Sequence, residues 1–284
     1  MTYEIKIAAE LGVKPHQVQA TVELLDGGAT VPFISRYRKE ATGTLDEVQV
    51  ATIRDRIEQL RELDKRREAI LKSVEEQGKL TPELKKAIEG AESMSKLEDI
   101  YLPYKPKRRT KATIAREKGL EPLAEKIYSQ QSFDLEAEAS KYLDEVKEVN
   151  TLEEALQGAR DIIAEWINEN AQLREKMRKL FVEEGTFTSR VIPGKEAEAI
   201  KYKDYFDWSE PIKTAPSHRV LAMRRGEKEL FLMLDSCPEE ASALGLIERE
   251  ILENAANSAV EQVQLAIKDC YKRLLKPSME TEVR

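Results

Sequence analysis

The chain has 284 residues, with 46 Lys and Arg against 53 Asp and Glu for a net charge of −7, a length that accommodates about two domains. No run approaches the roughly 20 apolar residues of a membrane span, and the start MTYEIKIAAELG lacks the apolar stretch of a secretory signal. Cys237 and Cys270 stand far apart, which excludes a disulfide framework or a thiolate metal site, so a reduced, cytoplasmic protein is expected.

Few glycines, 6% aromatics and an abundance of Glu, Lys, Leu and Ala indicate a mostly α fold with at most a short strand element. Pro15 opens a first helix on which Val18, Val22 and Leu25 share a face, and Gly27-Gly28 end it. A second short helix runs from Pro32 through Lys39 and stops at Gly43. These two helices match the outline of a helix-turn-helix as well as that of an ordinary packed pair, with Phe33 and Ile34 expected in the core. A long amphipathic helix follows, with Thr44 and Glu47 as its capping box. Its apolar stripe is Ile53, Ile57, Leu60, Leu63, Ile70 and Val74, and Gly78 ends it.

Thr81-Pro82 and Ser95 start two further helices, and then Pro103 and Pro106 break the pattern and place Tyr104 on a loop. Helices resume after Gly119, including a long run from 151 to 181. Residues 186–192 (TFTSRVI) fit a strand by alternation and a helix by their flanks, and 195–206 look helical. PIKTAPSHRV reads as a linker, LAMRRGEKELFLMLD as a helix end and a short strand with Gly226 at the turn, and 238–275 as a helix pair. No period of 20 to 50 residues recurs, which excludes a solenoid. The expected organisation is a multi-helix N-terminal domain with helix-turn-helix-like units over 1–195 and a smaller helical segment over 196–284.

Residues 105–118, KPKRRTKATIAREK, carry seven cations against one acid, leaving −13 on the other 270 residues. Lys105, Lys107, Arg108, Arg109 and Lys111 are therefore candidates to hold phosphates, with Tyr104 as a stacking residue. A loop of this kind is also found solvated, or neutralised by a protein's own acidic helices. Arg36, Arg38 and Lys39 form a second candidate patch. His16 and His218 stand alone, no phosphate-cradling glycine loop is present, and no catalytic residue, metal ligand or cofactor is expected. KYKDYFDW (201–208) reads as an aromatic anchor packing one helix on a neighbour, with a partner site as the alternative.

Three stretches taken together carry a resemblance: VPFISRYRKEATGTLDE (31–47), LEDIYLPYKPKRRTKATIAREKGLEPLA (97–124) and KYKDYFDWSEPIKTAPSHRVLAMRRGEKE (201–229). They resemble the N-terminal portion of the bacterial Tex proteins, transcription accessory proteins also described as RNA-binding. The resemblance implies a helical nucleic-acid-binding module with a helix-turn-helix-like unit. Family members continue into an RNase H-like domain, a helix-hairpin-helix segment and a C-terminal OB-type RNA-binding domain. They share a core with a eukaryotic transcription elongation factor that binds histones and RNA polymerase. The chain stops at METEVR, where the RNase H-like domain is expected to begin. The implied partners are RNA or DNA, RNA polymerase or associated transcription proteins, and the remaining C-terminal domains, with no membrane. The alternative reading is a scaffold that docks RNA polymerase or other transcription and RNA-processing proteins.

Overall fold

The structure, a computed structural model, describes residues 2–106, 108–253 and 256–284. The chain forms two compact units, residues 1–104 and 105–284.

The first unit contains α1 (Tyr3–Leu11), α2 (Pro15–Asp26), α3 (Val31–Tyr37), α4 (Lys39–Thr42), α5 (Glu47–Glu76), α6 (Pro82–Glu89) and α7 (Met94–Tyr101), closed by a 3₁₀ turn, Leu102–Tyr104. At about 1.5 Å per residue, α5 is about 45 Å long, enough for one helix to serve two cores. Its first half buries Val50, Ile53, Ile57 and Leu60 against Ile7, Val18, Val31 and Ile34. Its second half buries Leu63, Ile70 and Val74 with Ile88, Leu97 and Tyr101. The capping box is Asp46 with Gln49 (2.8 and 3.0 Å), not Thr44 with Glu47. Gly43 and Thr44 both take left-handed backbone angles (φ 63° and 69°), so Thr44 lies off the helix axis and two residues short of the cap. Ser93 rather than Ser95 caps α7, whereas Thr81 caps α6 as the sequence indicates.

The second unit begins with α8 (Lys111–Glu117), α9 (Glu121–Tyr128), α10 (Leu135–Ser140), α11 (Leu152–Asn168) and α12 (Ala171–Glu184). Strands β1 (Thr186–Val191) and β2 (Asp207–Pro211) follow, then α13 (Ser217–Lys228), β3 (Leu232–Cys237), α14 (Glu240–Ile251), α15 (Ser258–Cys270), a π turn (Tyr271–Leu275) and α16 (Lys276–Val283). Helix α11 is central: Ala155, Ala159, Ile162, Ile163 and Ile167 are fully buried, against α8, α9 and α15. The sheet is antiparallel in the order β2-β1-β3, with Phe187 opposite Glu210 and Ser236. The 195/196 position expected as a domain boundary falls between β1 and β2, two paired strands of this one sheet.

Of residues 195–206, which look helical in the sequence, Ile200–Tyr205 form a 3₁₀ helix rather than an α-helix, with Tyr202 buried. The segment expected to be a linker contains the end of β2 and the start of α13, because Pro216 takes the extended N-cap angles and releases Ser217 into a helix. Gly226 is inside α13 rather than at a turn. A Cβ there would lie 2.5 Å from Leu232 Cδ1, so the glycine lets the helix approach β3. The turn itself falls at Leu230, which takes φ 61°.

Candidate nucleic-acid interface

Three of the seven cations in residues 105–118 have partners among the described residues of the second unit: Arg109, Arg116 and Lys118. Thr110 caps α8 by accepting from Thr113 N (3.1 Å), while its hydroxyl donates to Glu165 Oε2 (3.2 Å) on α11. Arg116 donates to Glu165 Oε1 (2.6 Å) and Glu121 Oε1 (2.9 Å). Burial pulls the Arg116 guanidinium down, but these hydrogen bonds outweigh it and hold the group above its ordinary range. Ala112 and Ala115 pack inward. Gly158 leaves room for Leu120, whose Cδ1 lies 2.3 Å from where a Cβ would stand, so α8 and the turn after it sit tightly on α11. Lys118 donates to the Glu148 carbonyl (2.8 Å), and exposed Arg109 meets Glu117 at 3.1 Å.

What remains is smaller than the seven-cation count suggests. Lys105, Arg108 and Lys111 are exposed and have no ion pair among the described residues. Lys111 begins α8 and lies close enough to Asp161 to favour its charged form. Lys107 lies outside the described residues. Tyr104, in the first unit, is half-buried against the cluster around Leu97 and Tyr101. Its carbonyl accepts from Gln77 Nε2 (2.9 Å), so the residue is anchored to α5 and offers part of a ring to solvent.

The second patch, on the first unit, is richer than its sequence implied. Val31, Ile34 and Ser35 bury one face of α3, and Phe33, Arg36 and Tyr37 occupy the other. Phe33 is 42% exposed rather than in the core, and Tyr37 is 68% exposed. Their ring centroids lie 5.6 Å apart, and the Arg38 guanidinium sits 5.8 Å from the Phe33 centroid. Arg38 takes non-helical angles (φ −128°, ψ 32°) that break α3 from α4 and swing Lys39 into solvent. Its contact with Glu40, at 3.6 Å, is well exposed and therefore weak. Gln17 Nε2 donates to the carbonyls of Thr42 and Gly43 (3.0 Å each), pinning the end of α4 to α2. The signal for the aromatic face was legible: Phe33 and Tyr37 stand four residues apart with Arg36 between them, a single helical face.

Fold and surfaces together define a mostly helical, two-unit protein that carries an aromatic-cationic patch on one unit and a partly neutralised basic segment on the other. Residues 1–75 match the Tex-like protein N-terminal domain and residues 130–284 the Tex central region-like model. The chain belongs to the Tex family. It is 43% identical over 283 residues to the protein YdcI of Bacillus subtilis, covering 98% of this chain and 39% of that protein. It is 49% identical over 223 residues to the transcriptional accessory protein Tex of Neisseria gonorrhoeae, covering 78% of this chain and 29% of that protein. Human S1 RNA-binding domain-containing protein 1 is 24% identical over 292 residues, which cover 98% of this chain and 29% of that protein. The chain thus spans between 29% and 39% of the length of these relatives. The basic segment lies between the two regions matched by the family models.

Proposed function

We propose that this chain is a non-catalytic nucleic-acid-binding portion of a Tex-family transcription accessory protein. It would contact the phosphate backbone with little dependence on sequence. The observation that carries this reading is the exposed pair Phe33 and Tyr37 beside Arg36, Arg38 and Lys39. Aromatic rings give unpaired bases a stacking surface of any sequence, and adjacent cations hold the phosphates. Lys105, Arg108 and Lys111 supply an additional contact on the second unit. The names of two relatives, a transcriptional accessory protein and an S1 RNA-binding protein, support a role connected with nucleic acid. The test is titration of labelled single-stranded RNA and DNA, and of duplex, at several salt concentrations. Binding that tightens steeply as salt falls and weakens when Phe33 and Tyr37 become Ala is expected; no binding at about 50 mM salt would overturn the reading.

A second reading, docking of RNA polymerase or another transcription protein, draws on the same surface. Exposed aromatics with an adjacent arginine are also the anchors of protein interfaces. Affinity capture from lysate with and without nuclease separates the two, because a protein partner would persist after nuclease and a nucleic-acid-bridged one would not.

A further inference from the structure

Helix α13 carries three cations without an ion pair among the described residues, of which Arg225 still feels the charge of Glu229. On α12, Lys176 closes on Glu250 (2.5 Å), Arg178 on Glu282 (2.5 Å) and Lys179 on Glu183 (3.9 Å). On α13, by contrast, Arg224, Arg225 and Lys228 are exposed and have no ion pair among the described residues. The acids nearby are already engaged. Glu227, the one acid of α13, accepts from Arg284 (2.8 Å), Glu229 closes on Lys201 (2.6 Å), and Glu210 accepts from Arg219 (3.0 Å). These pairings leave a helix face of His218, Leu221, Arg224, Arg225 and Lys228 with no carboxylate of its own.

The scaffold fixes where that face points. Met223 and Gly226 are buried against the sheet, over Leu232 and Phe187. At the other end of the helix, Arg219 lies 5.2 Å from the Trp208 centroid as well as pairing with Glu210 on β2. With both ends held, positions 218, 221, 224, 225 and 228 stand on the solvent side of a helix that cannot roll. The favourable placement of cations near a helix C-terminus accounts for Arg225 and Lys228 in part, but not for Arg224 or for the missing acids.

We propose that this face of α13 is a further binding surface for the phosphate backbone of a nucleic-acid strand, distinct from α3 and from residues 105–118. Residues 218 to 228 extend about 15 Å, which matches roughly four nucleotides at 3.4 Å of axis per nucleotide of one strand. Arg224 and Lys228, one turn apart, reach successive phosphates, and Leu221, 69% exposed, gives the sugar face an apolar contact. A rigid row of cations with no acid to orient a partner's bases fits a repeating anion better than an acidic peptide. This inference rests on the nucleic-acid reading above.

The experiment uses the full chain and a fluorescein-labelled 20-nucleotide RNA, with anisotropy read from 25 to 300 mM salt. The combined variant Arg224→Gln, Arg225→Gln, Lys228→Gln is expected to lower the slope of log affinity against log salt by about 2. Affinity at 50 mM should fall at least tenfold, with an unchanged circular-dichroism melt, and Arg224→Lys with Arg225→Lys should keep the slope. A variant slope equal to that of the unsubstituted chain overturns the α13 surface. If the Phe33→Ala, Tyr37→Ala chain loses affinity in the same titration, the α3 reading survives that failure. Polyglutamate competing as well as RNA would also overturn the assignment, in favour of acidic protein, and no binding by the unsubstituted chain would overturn both.

Discussion

Arg116 of α8 and Glu165 of α11 are joined by a 2.6 Å ion pair whose carboxylate side chain is only 10% exposed. The same carboxylate accepts from the Thr110 hydroxyl, so one residue of the central helix holds both ends of α8. Removing Arg116 takes from a nearly buried carboxylate a charged donor at 2.6 Å. Hydrogen bonds to charged groups contribute about 1.5–3 kcal/mol, so Arg116→Ala should destabilise the second unit by about 2 kcal/mol. Both tryptophans, Trp166 and Trp208, lie in this unit, so urea unfolding followed by their fluorescence reports it directly. The salt dependence of nucleic-acid binding should be unchanged, because this arginine faces Glu165 and Glu121 rather than solvent.

The opposite behaviour is expected of Lys105 and Arg108, which are exposed and have no ion pair among the described residues. Replacing both by Ala should leave the urea midpoint within about 0.5 kcal/mol of the parent, as for most surface substitutions. The slope of log affinity against log salt should fall by about 1.4–1.8, from two lost phosphate contacts. Arg109→Ala should change it less, since Glu117 already occupies that guanidinium at 3.1 Å. Equal effects from all three residues would mean that the loop rearranges on binding.

Local signals in the sequence were reliable where the structure is locally determined. The α5 stripe, the Thr81 cap and the inward positions Val18 and Val22 follow from spacing within a few residues. The charge of residues 105–118 was legible, but its fate was not, because Glu165 lies 49 residues beyond Arg116 and the Glu148 carbonyl 30 beyond Lys118. Strand β1 was ambiguous for the same reason: six residues of alternation acquire meaning only when β2, from residue 207, and β3, more than 40 residues later, pair with them. Pro211, Pro216 and Gly226 made α13 look like a linker and a turn. In the fold, Pro211 ends a strand, Pro216 precedes a helix, and Gly226 is required by Leu232 rather than by backbone freedom. Phe33 and Ile34 are both expected in the core, yet only Ile34 fills a core position, and Phe33, its neighbour on the short helix, turns outward.

Two helical glycines should respond to alanine with opposite sign. A Cβ on Gly226 would lie 2.5 Å from Leu232 Cδ1 and 2.8 Å from Cγ, in a side chain itself 1% exposed, so the helix or the strand must move. Overpacking of this kind costs about 1–3 kcal/mol, and Gly226→Ala should lower the tryptophan-detected melting midpoint by several degrees. Gly245 on α14 meets nothing closer than the tip of Arg249 at 3.6 Å. There the loss of glycine's backbone entropy dominates, and Gly245→Ala should stabilise by about 0.5–1 kcal/mol. Gly226→Ala should also weaken RNA binding if it shifts the α13 cations, which the same preparation can be used to measure.

Asp161 gives the second unit a pH dependence of unusual sign for an acid in an ion pair. It lies on α11, 8% exposed, accepting from Gln157 (3.4 Å) and meeting Arg273 at 3.3 Å. Burial raises its carboxyl above the ordinary aspartate range. Arg273 and Lys111 oppose the shift, Asp269 adds to it, and Gln157 offsets it slightly. A carboxyl whose folded value is raised binds its proton more tightly in the native state, so stability falls as pH rises from about 4 through the folded titration. Asp161→Asn removes this term while keeping the shape, and Arg273 retains Asp269 at 2.5 Å. The stability of the variant minus that of the parent should therefore increase between pH 4 and pH 7 in urea titrations read by tryptophan fluorescence. Glu10, paired with Arg56 in the first unit and lowered chiefly by that hydrogen bond, should show the reverse. Its stabilising contribution is present at neutral pH and lost on acidification, so Glu10→Gln should cost most at pH 7 and least near pH 3. A parent-minus-variant difference at Asp161 that is flat across the range would mean that Arg273 cancels the burial completely.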